Sequence, residues 1–170
     1  MDSSGWRRGP DGMRAKNGKP LRFSLAVGPS PFRRKFGVLL QSEFKKAGVQ
    51  VDLDLLDGNA YIEKRDKNDF DAIIDGFAPD PSVSGIKQMW TTAGFPPDGQ
   101  NILHYSNRLV DAMIDSASMT SDLAKSKAYS SRAIRQILED VPAIWLYEVS
   151  IVNAINNRIN IKPFRPDGWW

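Results

Sequence analysis

Between Leu21 and Phe77 the spacing of apolar residues switches repeatedly between a period of two and a period of 3.6, and this limits the fold more than any other feature. In "LRFSLAV", Leu21, Phe23, Leu25 and Val27 fall on one side of a predicted strand that Gly28 and Pro29 close. From Pro31 to Ala47 the positions of Phe36, Leu39, Leu40, Phe44 and Ala47 are helical, with Lys45 and Lys46 in the last turn and Gly48 where a left-handed cap belongs. "VQVDLDLL" then alternates strictly and ends at Asp57-Gly58, a second strand. A short helix from about Ala60 to Lys67 leads into a third strand, "FDAIIDGF". Strands separated by helices are βαβ units, so the expected class is α/β with a mainly parallel sheet flanked by helices.

The remainder is more helical. A helix is predicted from Ser84 to Trp90, another capped by Asn107 with Leu109, Val110, Met113, Ile114 and Ala117 inward, and a third from Asp122 to Asp140 that stops at Pro142. On the third, Ile134, Ile137, Leu138 and Val141 form one stripe. "AIWLYEVSIVNAI" reads as a returning central strand, with Trp145 and Tyr147 in the core. Residues 1–20 are punctuated by glycine and proline and read as an irregular lead-in. Residues 21–152 form the α/β lobe, and residues 153–170 a tail.

Composition excludes several function classes. With 41% hydrophobic residues in 170, one domain with a sizeable core is expected. The net charge of +3 is scattered among 20 acids rather than gathered into a stripe, so no nucleic-acid partner is expected. Cysteine is absent, which removes disulfides, thiolate nucleophiles and zinc fingers. The first 20 residues lack the apolar region of a secretory signal, which leaves either a cytosolic protein or a piece of something longer.

In open α/β sheets ligands bind beyond the carboxyl ends of the strands, where loops converge and helix N-termini point. Three loops qualify here: "GPSP", "DGN" and "GFAPDPSVSG". In the last, Asp80 stands between Pro79 and Pro81, a candidate carboxylate held out at the mouth of a crevice; the alternative is that it closes a turn or caps the next helix. Trp90, Phe77, Phe95 and Tyr105 are candidates for an apolar lining. Chemistry has little to work with. His104 is the lone histidine, no serine lies in a G-x-S-x-G elbow, and no metal or phosphate-loop pattern occurs, so no cofactor is expected. A self-contained cytosolic enzyme would have to use Asp75 or Asp80 as its acid or base.

The order of "DGMRAKNGKPLRFSL", "LLQSEFKKAGVQVDL", "DFDAIIDGFAPDP", "HYSNRLVDAMID", "YSSRAIRQILEDVPAIWLY" and "RPDGWW" resembles the C-terminal part of family 5 extracytoplasmic solute-binding proteins, the oligopeptide, dipeptide and nickel receptors of ABC importers. The resemblance covers nearly the whole chain from Gly5. It implies a periplasmic, non-enzymatic lobe of a bilobed receptor, whose missing N-terminal lobe closes over a peptide or other small solute and which docks on an ABC permease in the inner membrane. The family's "GW-x-x-D" stretch falls on Gly76 to Asp80. By resemblance Asp80 receives a ligand ammonium, and Phe77 and the backbone around Ala78 border the solute. Arg65 matches a position that can face the ligand carboxylate, and Asn101 lies in the family's "N…Y" stretch near the pocket. Phe77 replaces the commoner tryptophan and Pro79 removes a backbone donor, so the solute is left as a peptide or another small molecule.

Overall fold

The structure is a computed structural model and describes residues 1–76, 80, 82–147, 156, 158 and 159. Its centre is a three-stranded parallel sheet of β4 (Arg22–Val27), β5 (Gln50–Leu55) and β6 (Ala72–Ile74), in the order β5-β4-β6. The register pairs Val27 with Leu55 on one side and with Ile74 on the other, so all three strands finish level at one edge. β4 is the middle strand, and its Leu25, Ala26 and Val27 are buried on both faces. The sequence predicts one-sided alternation; instead β4 buries three successive residues, as a central parallel strand does, and in β5 Val51 is buried while Leu55 at the far end is exposed.

Helix α1 (Pro31–Lys46) crosses from β4 to β5. It starts with the Ser30 hydroxyl accepting from Arg33 N–H and Pro31 in the first turn, and it ends before Gly48, whose φ of +82° is the left-handed conformation anticipated there. Phe36, Leu40 and Phe44 pack on the sheet residues Leu25, Val27, Val51 and Ile74 to make the first core. Helix α2 (Gly58–Asp66) crosses from β5 to β6, capped by the Asp57 carboxylate on Ala60 N–H.

A second core is wholly helical. α3 (Val83–Trp90), α4 (Arg108–Met119) and α5 (Leu123–Asp140) bury Ile86, Trp90, Val110, Ile114, Ala133 and Ile137 against one another. Asn107 caps α4 as predicted, accepting from Leu109 and Val110 N–H, and Asp122 caps α5 on Ala124 and Lys125 N–H. The stripe expected on α5 is rotated. Ile137 is buried, but Ile134, Leu138 and Val141 are exposed, because the small Ala133 lets α5 approach α4 along that neighbouring line.

Two further expectations differ from what is observed. Residues 1–20 are not irregular: β1 (Arg7–Arg8), β2 (Arg14–Lys16) and β3 (Lys19–Pro20) form a small antiparallel meander. It is fastened by cations on the last carbonyls of α1, with Arg8 donating to Lys46 O at 2.6 Å and the Arg14 Nε to Ala47 O at 2.9 Å. Positive charge at a helix carboxyl end satisfies both the unpaired carbonyls and the helix dipole. The returning strand is also absent where it can be judged. Residues 143–147 form no strand, and residues 148–155 lie outside the described residues. Trp145 and Tyr147 are therefore not core strand residues. Both are about half exposed, with the Trp145 ring against Trp90 at 5.6 Å and Tyr147 edge-on to Phe32 and Phe36 at 5.4 Å.

Several carboxylates tie elements together and are held below their ordinary range by the groups that donate to them. Hydrogen bonds from Tyr105, Asn107 and Gln136 lower Asp140, which joins the loop before α4 to the end of α5. The Ser24 N–H and hydroxyl lower Asp71, linking β4 to the start of β6. Arg14 lowers Asp2, Arg22 lowers Asp52 and Lys67 lowers Glu63. A carboxylate whose pKa is depressed by folding contributes stability above its unfolded value and loses it as the pH falls through the folded value. The urea midpoint is therefore expected to be flat near neutrality and to drop below about pH 4, where unfolded carboxylates take up protons. Asp140→Asn should make that drop shallower when midpoints are measured from pH 6 to 3; an unchanged pH dependence would contradict the assignment.

Candidate functional site

Because the three strands finish level, the loops that follow them meet at one edge together with the N-termini of α1, α2 and α3. Tyr61 of α2 anchors this edge. It is buried, its hydroxyl donates to Ile74 O at 2.9 Å, and burial together with the nearby Asp75 pushes its pKa up, which keeps it a proton donor.

Asp75, immediately after β6, lies between two arginines. Its Oδ1 accepts from Gly76 N–H at 2.8 Å and from Arg33 Nη1 at 3.3 Å, while its Oδ2 is 3.9 Å from Arg65 Nη1. Arg33 comes from the first turn of α1 and Arg65 from the last turn of α2, so three segments distant in sequence converge. Arg65 has a shorter bond to its neighbour Asp66, at 2.8 Å, and this bond is the main reason its guanidinium pKa is raised. All three side chains of the Arg33, Asp75 and Arg65 cluster are about a quarter exposed, at 29%, 21% and 31%.

Asp80 is exposed, and its Oδ1 accepts from Ser82 N–H at 2.9 Å. Ser82 in turn caps α3, its hydroxyl accepting from Gly85 N–H at 3.1 Å. The absence of a side chain at Gly85 makes room for this arrangement, since a Cβ there would come within 2.5 Å of Asp80 Cβ. Asp80 thus closes a turn onto the helix N-terminus through one oxygen, and its second oxygen has no partner among the described residues. Of the two roles weighed for it from sequence, the described residues show the turn.

Other expected site residues lie elsewhere. Asn101 is 1% exposed and belongs to the helical half. Its amide donates to Thr91 O and Tyr105 O at 2.9 and 2.8 Å and accepts from Tyr105 N–H at 3.1 Å. Those bonds organise the loop before α4 and leave the side chain nothing to offer a solute, so it is not a crevice residue. Trp90 is buried in the helical core rather than lining a cleft, and the Tyr105 hydroxyl is taken by Asp140 at 2.6 Å. His104 stacks on Phe95 at 4.7 Å. Phe77, Ala78, Pro79 and Pro81 lie outside the described residues. A groove of about 600 Å³ runs between Met13, Val38 and Val49, but it flanks the amino-terminal half of β5, at the opposite end of the strand from these loops. Among the described residues no group of three His, Cys, Asp or Glu could hold a metal ion.

Sequence reasoning passes over Arg33. The available signal is its position, one turn into the helix that follows the first crevice loop, where a cation opposes the helix dipole.

No protein-family model matches the chain. It is 23% identical over its whole length to the oligopeptide-binding protein AppA of Bacillus subtilis, of which it spans 33%. It is 26% identical over 80% of its length to the probable deoxycholate-binding periplasmic protein YgiS of Escherichia coli, of which it spans 25%. Among solved structures it superposes on NikZ of Campylobacter jejuni in complex with Ni(L-His) with a TM-score of 0.70 and 27% identity, covering 83% of this chain and 29% of that one. For AppA in complex with a nonapeptide the values are 0.67 and 26%, covering 83% and 28%. The chain therefore spans a quarter to a third of the length of the relatives it matches.

Proposed function

Since the chain belongs with the extracytoplasmic solute-binding proteins of family 5, we propose that it supplies one wall of a solute crevice in such a receptor, delivering a peptide or other small solute to an ABC permease. The wall is the carboxyl edge of the sheet, with Asp80 as the partner of a solute cation and Arg65 as a partner of a solute anion. Phe77 and Ala78 belong to the same loop and are assigned to it on the resemblance alone. The compartment is the periplasm, as the name of YgiS indicates for that relative. The role is binding without catalysis: the relatives are binding proteins, and Asp75, one of the two acids an enzyme could have used, pairs with two arginines.

The observation that carries this reading is the exposed Asp80, held by a turn at the N-terminus of α3 through one oxygen, the other having no partner among the described residues. Asp80→Asn keeps the oxygen that accepts from Ser82 N–H and removes only the charge. In the full-length receptor this substitution is expected to weaken tri-alanine binding at least about tenfold, the effect of losing a hydrogen bond to a charged group worth about 1.5–3 kcal/mol. Calorimetric titration reads it. Equal affinities would assign Asp80 to the turn alone.

A further inference from the structure

Cations that are scattered along the sequence are gathered by the fold at the end of the sheet opposite the loops after β4, β5 and β6. Residues 1–22 carry six lysines and arginines and two acids, an excess larger than the net charge of +3 of the whole chain. Their meander is tied to the start of β5, with Arg14 N–H donating to Gly48 O at 2.7 Å. Its register sets like charges directly opposite one another twice, Arg8 against Arg14 and Lys16 against Lys19, an arrangement that costs stability. The first pair is compensated: both arginines bond the last carbonyls of α1, and the Arg14 Nη1 meets Asp2 Oδ1 at 2.7 Å. The second is not. Neither Lys16 nor Lys19 has an anion among the described residues, and Asp11, the other acid of the segment, is turned onto Met13 N–H at 3.0 Å. The two lysines are held abreast by a turn whose Asn17 and Gly18 have φ of +52° and +74°, both positive as a tight two-residue hairpin requires. Arg7 on β1 and Lys45 in the last turn of α1 also lack an anion among the described residues, and Lys45 lines the same groove as Met13.

We propose that this end of the lobe docks on an anionic lipid bilayer, with Lys16 and Lys19 as its main contacts and Arg7 and Lys45 contributing from the same end. Headgroup phosphates complete the like-charged pair that the fold leaves uncompensated. The kind of partner follows from which cations are free. An arginine's planar fork suits a carboxylate fixed in a protein, and Arg8 and Arg14 spend theirs inside the fold. What remains is mainly lysine, a compact point charge on a flexible stem that asks no particular geometry of its partner and so suits headgroups that move laterally. Residues 15–20 are all exposed, so the hairpin is a protrusion rather than the concave pocket that encloses a small solute. Each lysine or arginine brought close to an anionic leaflet strengthens binding by about fivefold, and several act together. Docking here leaves the carboxyl edge of the sheet open, so this role is additional to solute binding and independent of it.

The test is cosedimentation of the chain with vesicles of phosphatidylglycerol and phosphatidylethanolamine in equal parts, against vesicles of phosphatidylcholine. Binding is expected to the first alone and to fall steeply as added salt shortens the screening length toward about 3 Å at 1 M. Lys16→Gln combined with Lys19→Gln should lower the partition by about tenfold or more. Lys125→Gln combined with Lys127→Gln removes the same charge from the exposed surface of α5 and should change it by no more than about threefold. Without vesicles, the Lys16/Lys19 double variant should keep or raise the urea midpoint, because it relieves a like-charged cross-strand pair. A lower midpoint would assign the two lysines to the fold and overturn the proposal. So would equal binding to phosphatidylcholine, no binding to either vesicle, or a double variant that sediments as the native chain does. Poly-glutamate bound more tightly than the anionic vesicles would overturn the bilayer in favour of an acidic protein partner. None of these results bears on the Asp80→Asn titration, so the two proposals fail separately.

Discussion

Asn101→Ala is expected to destabilise the chain by about 3 kcal/mol, from the three hydrogen bonds it breaks and the roughly 1–3 kcal/mol that each buried polar group costs when left unsatisfied. The side chain sits inside the loop between α3 and α4 with every polar atom engaged. Alanine leaves the Tyr105 N–H and carbonyl without these partners, while Thr91 O retains only the Gly94 N–H. Water cannot substitute readily, since Asn101 and Thr91 are 1% and 2% exposed. The melting temperature should fall by about 6–12 °C for a domain of this size. Asp is no conservative replacement, because it keeps the acceptor, removes both donors and introduces a buried charge. Affinity per folded molecule should not change, which separates this loop-organising role from that of a solute contact. A stable Asn101→Ala variant with impaired binding would reverse the assignment.

The parallel sheet is legible in the sequence because each of its signals is local. Alternation in "LRFSLAV" and "VQVDLDLL", a helical period between them and Gly48 at a position that needs positive φ are properties of short windows, and β4, α1 and β5 follow them closely. Asn107 announces the start of α4 for the same reason. What periodicity cannot supply is pairing over distance. The meander at residues 1–20 has strands of two or three residues, too short for any pattern, and it exists because Arg8 and Arg14 find the carboxyl end of α1. On α5 the apolar stripe is visible, but which side of it faces α4 is decided by Ala133, whose small size carries no hydrophobic signal.

The candidate site divides along the same line. The crevice edge follows from βαβ topology, so the order of strands and helices along the chain is enough to place the Asp75 to Ser82 loop there. That one Asp80 oxygen accepts from Ser82 N–H is a feature of the folded loop that the order of residues does not announce. Arg33 and Asp75 are 42 residues apart, and nothing in either one's neighbourhood along the chain points to the other. Trp90 and Tyr105 look in sequence like lining material, yet the helical core claims the first and Asp140 the hydroxyl of the second.

Ile114→Ala should have the largest effect of any single truncation considered, about 3–4 kcal/mol within the range of roughly 2–5 for a fully buried isoleucine. Ile114 is 0% exposed at the centre of the helical core, with Ile86 and Trp90 of α3 and Ala133 and Ile137 of α5 in the same cluster. Removing its side chain forfeits both the transfer free energy and the contacts around a cavity that three packed helices only partly collapse to fill. A melting temperature lower by about 7–14 °C is expected. The same change at Leu138, on α5 but 52% exposed, should stay within about 0.5 kcal/mol in this chain. The comparison bears on function because Ile86 lies in α3, the helix whose N-terminus carries the Asp80 turn. A loosened helical core should therefore broaden the backbone signals of Ser82 and Gly85 while leaving those around Arg33 and Asp75, which rest on the sheet core, unchanged. If Ile114→Ala instead disturbed both sets equally, the two cores would form one cooperative unit and the Asp80 turn could not be tuned apart from the arginine pair.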